Sequence, residues 1–253
     1  MKNWIAVVSA ASLIASCSPG ETLPSANRSE VEAVASGKAL TSSSAEKMLE
    51  ALANDGGQPW LKIVQSEYPE DFKHIARDMD DILRRAHSEV DAQRMMGQKI
   101  VSFMQERKIN ARSAPAPYLM DWLDLNIASL KTLQAESVEA CNAVTKGQLR
   151  PGILLSNDAW KSMADTTAQL LQASKAAEGA PVQRGGAEPS EEDWLDWRDA
   201  MIELGATQAD LVAIARKEPV SADQECQLRI MMMEAASHLP PETAIRILLP
   251  IIG

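Results

Sequence analysis

Histidine and acidic side chains are spaced in one part of this sequence as the ligands of a metal ion are spaced on a helix. His74 and Asp78 are four residues apart, and Asp81 follows about one turn later. Residues at this spacing share a helix face, where imidazole and carboxylate groups can bind one ion. A second histidine, His87, lies 13 residues after His74, near the opposite edge of that face. Because a solvated charged face explains the same residues, we predict no metal site.

Acidic residues also flank tryptophans at two places. Asp121 and Asp124 lie beside a tryptophan, and five acids between 191 and 199 surround Trp194 and Trp197. Paired carboxylates beside an aromatic ring are typical of glycoside hydrolysis. Two acids on one helix, however, do not lie on opposite sides of a scissile bond, and acids in a first helical turn complement the helix dipole. We therefore interpret Trp194 and Trp197 as a core-facing pair.

Nucleophile and phosphate-binding motifs are absent from the sequence. It contains no Gly-x-Ser-x-Gly, no Cys-x-x-Cys and no glycine-rich phosphate loop, and no histidine is close in sequence to Cys141 or Cys226. Covalent catalysis needs a nucleophile with a base within hydrogen-bond reach. We predict no catalytic residue and no cofactor, so the sequence favours a protein that is not an enzyme.

The extreme N-terminus carries a third cysteine in a distinctive setting. Lys2 precedes an apolar run from Trp4 to Ile14, which is about the length of a signal-peptide core and shorter than the roughly 20 residues of a membrane-spanning helix. The segment Ile14-Ala15-Ser16-Cys17 then leads into a Ser-Pro-Gly turn. Over residues 1–20 the chain resembles the lipobox signal peptide of bacterial lipoproteins. An ordinary secretory peptide with a chance cysteine is the alternative.

The lipoprotein resemblance implies how and where the chain is held. Residues 1–16 would be a signal peptide that is cleaved off, and Cys17 would carry diacylglycerol on its sulfur and an acyl chain on its new amino group. Several acyl chains are enough for stable anchoring. The serine after Cys17 implies, by the sorting habit of the family, the periplasmic face of an outer membrane.

With Cys17 assigned to lipid, Cys141 and Cys226 remain. Two cysteines in an oxidising compartment permit a single intramolecular pairing, and we predict a Cys141–Cys226 disulfide. Two unrelated buried thiols are the alternative.

Composition limits the partners and the fold. The formal net charge is −10, so the chain repels nucleic acid and anionic lipid headgroups, and we predict no nucleic-acid partner. Aromatic residues make up only 4 % of the chain, whereas it contains 12 methionines. This composition is typical of helical bundles rather than of β-sandwiches.

The remaining sequence predicts a tether followed by a helical domain. Residues 17–43 contain few large apolar residues and predict a flexible tether. Residues 44–253 predict an all-α bundle or array of about seven to nine helices. Apolar residues recur there at intervals of three and four residues, and no segment shows the alternation of apolar and polar residues that is typical of a strand. The longest predicted helix extends from Pro69 to about Met104, and the next from Tyr118 to Val144.

Two features organise the C-terminal part. Residues 179–189 are rich in Gly and Pro and predict either a loop between packed helices, which we favour, or a subdomain boundary. Capping-box spacings then recur at three helix starts. They are Ser190 with Asp193, Thr207 with Asp210, and Ser221 with Gln224.

Fold class and anchoring together predict a function. We expect an exported, lipid-anchored protein of the bacterial cell envelope that acts by binding an envelope protein, as a scaffold or accessory subunit. The alternative is an envelope hydrolase acting on cell-wall glycan or peptide, for which scattered acids would have to converge in a cleft.

Overall fold

The computed structural model of the protein describes residues 42–54, 59–146, 155–184 and 188–252. Within these ranges the chain forms helices, turns and connecting segments, without a strand, which confirms the all-α prediction. The predicted signal peptide, Cys17 and the tether up to residue 41 lie outside the described residues. None of the described helices is long and apolar enough to cross a membrane.

The described ranges contain eleven helices, numbered here in chain order. They are α1 (Ser42–Asn54), α2 (Pro59–Glu67), α3 (Pro69–Arg85), α4 (Glu89–Ala111), α5 (Ala116–Glu136), α6 (Val138–Thr145), α7 (Asn157–Gly179), α8 (Glu191–Glu203), α9 (Gln208–Arg216), α10 (Ala222–Ser237) and α11 (Pro241–Ile252).

The count exceeds seven to nine because two long predicted helices are each divided. The first ends at Ala86, whose backbone is extended (ψ 133°), and α4 begins after Ser88, whose Oγ accepts a hydrogen bond from Asp91 N. The second is divided at Ser137, which closes α5 through its N–H and caps α6 by accepting a bond from Ala140 N at 3.1 Å. A side-chain oxygen at such a position satisfies an otherwise unpaired helix N–H.

The capping spacings of the C-terminal part are largely realised. Two pairs form complete capping boxes, Ser190 with Asp193 and Thr207 with Asp210. At the third start Ser221 accepts from Gln224 N, but the Gln224 amide donates to Asp210 Oδ1 at 2.9 Å instead of returning to Ser221. That side chain therefore links α10 to the first turn of α9.

The described residues divide into two compact units, 42–104 with 155–168, and 105–146 with 169–252. In the first unit α1, α2 and α3 pack against one another, around fully buried side chains such as Leu49, Leu61 and Met79. Tyr68 and Phe103 make an edge-to-face ring contact at 6.2 Å. An ion pair of 3.1 Å joins Lys99 to Asp78.

The second unit is organised around α10, which packs against α5, α6, α8 and α11. Leu123, Met201 and Leu248 are among its fully buried side chains. The described part of 179–189 belongs to this unit, where Val182 N donates to Ser113 O at 2.8 Å.

A disulfide bond joins Cys141 on α6 to Cys226 on α10, with a Cα–Cα distance of 5.8 Å. Both cysteines are completely buried. The predicted pairing is confirmed, and it links the two helices covalently beside an ion pair between Lys146 and Glu225.

Candidate functional site: the outer face of helix α8

Helix α8 is delimited by strong local signals at both ends. Its N-terminus carries the Ser190–Asp193 capping box and two further acids in the first turn, where negative charge complements the helix dipole. At its C-terminus Gly205 has a φ of 97°, and Ala206 N donates to Met201 O at 2.9 Å. This is the Schellman arrangement, in which a left-handed residue after the helix satisfies its last carbonyls.

The inner face of α8 is tied to the core of the second unit. Trp197, Ala200 and Met201 are buried, and α8 packs on α10 and α11. The Trp197 indole Nε1–H donates to Met232 O at 3.0 Å. A buried indole usually finds such an acceptor, and here the bond fixes the helix against α10.

A clamp between Arg246 and Asp193 reinforces this attachment. Arg246 on α11 donates from Nε to Asp193 Oδ2 at 2.8 Å and from Nη2 to Oδ1 at 2.6 Å. The same carboxylate accepts from Ser190 N at 2.8 Å. The bonds from Arg246 in particular, and also those from Ser190, hold the pKa of Asp193 well below its usual range, against the opposing effect of burial.

The outer face of α8, defined here as Trp194, Leu195 and Ile202, is exposed to solvent. Their exposed fractions are 44 %, 43 % and 50 %. Positions 194, 195 and 202 share one side of a helix at 3.6 residues per turn. The other large apolar side chains exposed in the described ranges lie elsewhere, on α4 (Ile109) and α5 (Tyr118 and Leu125). Among the side chains whose exposure the structure describes, α8 thus presents the largest such group on a single helix.

Trp194 is held in position although its surface faces outward. Its ring meets the buried Trp197 ring edge to face, with centroids 5.6 Å apart and an interplanar angle of 83°. Edge-to-face pairs of this kind are favourable beyond the area that they bury. The indole is therefore a positioned, solvent-exposed aromatic surface.

A row of acids lies directly beside the outer face. Glu192, Asp196, Asp199 and Glu203, called here the acidic row, follow one another at steps of four, three and four residues, and all are exposed. Like charges at these steps face each other and disfavour the helix by a few tenths of a kcal/mol per pair. Arg198 relieves only one member, by donating to Asp199 Oδ1 at 2.9 and 2.6 Å.

The residues whose spacing resembles that of metal ligands, His74, Asp78 and Asp81, do not assemble a metal site. His74 is exposed, and its Nδ1 lies 3.2 Å from the donor Nη2 of Arg77, while Asp78 pairs with Lys99. Asp81 pairs with two arginines of its own helix. Among the described residues no group of three or more His, Cys, Asp or Glu side chains could hold a metal ion.

The acids considered for hydrolysis have other roles or lie apart. Asp121 and Asp124 are exposed on α5, and Asp196 is exposed on α8. Asp193 is buried in the clamp with Arg246. These placements do not produce the pair of carboxylates facing one cleft that the hydrolase alternative requires.

The interpretation of Trp194 and Trp197 as a core-facing pair is half wrong. Trp197 is buried, but Trp194 is exposed. At a spacing of three residues the two side chains are separated by 60° around the helix, and the boundary between the buried and exposed sides falls between them.

The sequence carries one local signal for this surface. Leu195 and Ile202 are seven residues apart, on the side opposite Ala200 and beside the acidic row. Apolar residues on the polar side of an amphipathic helix indicate a binding surface. By contrast, Arg246 lies 53 residues from Asp193, and no local pattern indicates that pairing.

Comparisons with known proteins add no name to this site. No protein-family model matches the chain, and neither the characterised proteins nor the solved structures with which it was compared give a match. The functional proposal therefore rests on the chemistry of the chain.

Proposed function

We propose that this protein is an exported, lipid-anchored protein of the bacterial envelope that binds a protein partner, as a scaffold or accessory subunit. The observation that carries the binding role is the outer face of α8. A positioned tryptophan flanked by two exposed aliphatic side chains has the composition of an interface centre, since tryptophan is strongly enriched among residues that dominate binding energy.

The rigidity of α8 supports the same role. The clamp from Arg246, the Trp197 bond to Met232 O and the two helix caps fix the helix before any partner arrives. A surface that is already ordered loses less conformational entropy on binding than a mobile one. A partner would therefore gain most of the free energy of burying the apolar side chains.

The anchoring part of the proposal is supported by the sequence from Ile14 to Cys17. Several acyl chains on Cys17 would hold the domain at a membrane without a basic surface, which suits a chain of net charge −10. Metabolic labelling with a fatty acid tests it: the wild-type chain should be labelled and Cys17→Ser should not. Equal labelling of both would end the lipid-anchor proposal.

Site-directed photo-crosslinking in intact cells tests the binding role. A photoreactive amino acid at Leu195 or Ile202 should give a discrete higher-mass adduct. The same probe at Gln227, an exposed position on α10, should not. Trp194→Ser in the probe-carrying chain should reduce the adduct yield without changing the amount of protein.

Two results would contradict the binding role. One is an adduct of equal yield from position 227, which would reflect collision rather than docking. The other is the absence of any adduct from both α8 positions in a chain that is exported and folded at wild-type level.

A further inference from the structure

We infer that the partner segment docked on α8 is a basic amphipathic helix, with an apolar side that covers the outer face and a row of Lys or Arg side chains that pairs with the acidic row. This inference deepens the proposed binding role and rests on it. It commits to one chemistry because the acidic row lies beside the outer face over the full length of that face.

The geometry of the two rows sets the form of the partner. The outer face extends from 194 to 202, about two turns of α8, and the acidic row extends from 192 to 203, about three turns of the same helix. A partner that covers the outer face and the acidic row together needs a row of apolar side chains beside a row of cations, with the same rise per residue as α8. A helix that lies along α8 provides this. Residues at three- and four-residue steps would then supply the apolar anchors and the cations.

Charge complementarity selects the sign of the partner. Three members of the acidic row, at 192, 196 and 203, have no ion pair within the described residues, and the fourth shares Arg198. A partner cation would turn mutual repulsion within the row into attraction. Such complementarity accelerates encounter and rejects wrong partners. An acidic partner would instead add like charges along the entire contact.

Other occupants fit the charge less well. A second copy of this chain would bring another acidic row against the first. The N-terminal segment does not supply the cations either, since residues 18–41 contain three acids, Glu21, Glu30 and Glu32, against two bases, Arg28 and Lys38. An anionic membrane surface would be repelled. The partner chemistry that remains is cationic and helical.

A defined peptide tests the inference on the full chain carrying Cys17→Ser, which avoids acyl groups. The probe is an 18-residue synthetic helix with leucines on one side and lysines along the adjoining side. Its binding to the protein is measured by fluorescence anisotropy. Two comparison peptides have the same composition in scrambled order and glutamate in place of lysine. The lysine helix should bind at least tenfold more tightly than either.

Charge reversal in the acidic row of the protein tests the predicted charge of the partner most directly. The double variant Asp196→Lys with Glu203→Lys should weaken binding of the lysine helix at least tenfold and should now prefer the glutamate helix. The matched control, Asp121→Lys with Asp124→Lys, makes the same change in net charge at exposed positions on α5 and should stay within twofold of wild type.

Several results would overturn the inference. If both double variants weakened binding of the lysine helix equally, binding would depend on net charge alone. Tight binding of the scrambled peptide would show that the protein does not recognise the amphipathic surface of a helix. A dimer in sedimentation velocity that Ile202→Ser abolishes would make a second copy the occupant. If the lysine helix does not bind as expected while the α8 crosslinks in cells persist, the inference about the chemistry of the partner is wrong and the proposed binding role stands.

Discussion

The guanidinium of Arg246 and the carboxylate of Asp193 meet through two parallel hydrogen bonds, of 2.8 and 2.6 Å, that tie the first turn of α8 to α11. Arg246 keeps 28 % of its side chain exposed, whereas Asp193 keeps only 7 %. Bidentate pairs of this kind are directional as well as strong. The clamp therefore sets the orientation of the helix that carries the candidate binding face.

Removing the carboxylate should destabilise the protein through the arginine that is left behind. We expect Asp193→Ala to lower the free energy of unfolding by about 3 kcal/mol, at the lower end for a broken buried pair because Arg246 is partly solvated. Urea denaturation followed by circular dichroism measures this. Asp196→Ala, an exposed acid on the same helix, should change stability by less than about 0.5 kcal/mol; similar losses for both would argue against the clamp.

The same carboxylate should make stability depend on acid pH. The folded state holds the pKa of Asp193 below its value in the unfolded chain, which is about 3.9, so protonation favours unfolding. The contribution is fully present above that value and is lost as the pH falls below it. The stability difference between wild type and Asp193→Asn should be constant from pH 6 to 7 and shrink below about pH 4. A difference that grows on acidification would refute the sign.

The disulfide should account for a large share of stability. It closes a separation of 85 residues between Cys141 and Cys226, and the chain-entropy treatment assigns about 4–5 kcal/mol to a loop of that length. We expect the double variant Cys141→Ser with Cys226→Ser to lose stability on that scale in a denaturant titration. Thiol titration of unreduced, denatured wild type should find no reactive group from these two residues. Finding two would show that the bond does not form.

Backbone conformation at the end of α8 gives a contrast between two glycines. Gly205 has a φ of 97°, which strains any L side chain, although a Cβ there would contact nothing within 4 Å. Gly205→Ala should therefore cost about 1 kcal/mol by backbone strain alone. Gly179 has the same open surroundings without the positive φ, so Gly179→Ala should be neutral or stabilising. Equal effects of the two changes on thermal unfolding would contradict this explanation.

Exposed acids outside α8 should be dispensable for function. Asp121 and Asp124 have none of the burial that tunes a general acid or base. We expect Asp121→Asn and Asp124→Asn, made singly, to leave the crosslinking yield and the complementation of a deletion strain unchanged, while Ile202→Ser lowers both. Loss of complementation by either Asn variant, with normal stability and normal crosslinking, would favour the hydrolase alternative.

Local sequence signals predicted most of the fold. The starts of α8, α9 and α10 follow from Ser190, Thr207 and Ser221 because a cap is a contact within four residues of chain. The Cys141–Cys226 bond followed from counting cysteines. The breaks before α4 and α6 were missed since apolar residues continue at helical spacing on both sides of Ala86 and Ser137, which hides the change in backbone.

The candidate site was harder to predict because it depends on which side of α8 faces the core. From the sequence, the acids between 191 and 199 were interpreted as complementing the helix dipole in a first helical turn. That interpretation holds for Asp193, which lies in the first turn of α8. It does not account for Asp196 and Asp199, which are exposed beside Leu195. Their role depends on the orientation that Arg246 imposes, and a contact across 53 residues of sequence leaves no local pattern.

The bond between Cys141 and Cys226 also determines what a protease can do to this protein. All of α8 and α9 lies between the two cysteines, so a peptide bond cut anywhere in that stretch opens a covalent ring without creating a detached fragment. Exposed residues such as Pro181 and Gln183 are accessible to such cleavage. A nicked molecule would keep its full mass until it is reduced, and α8 would stay tethered to both halves of the broken chain.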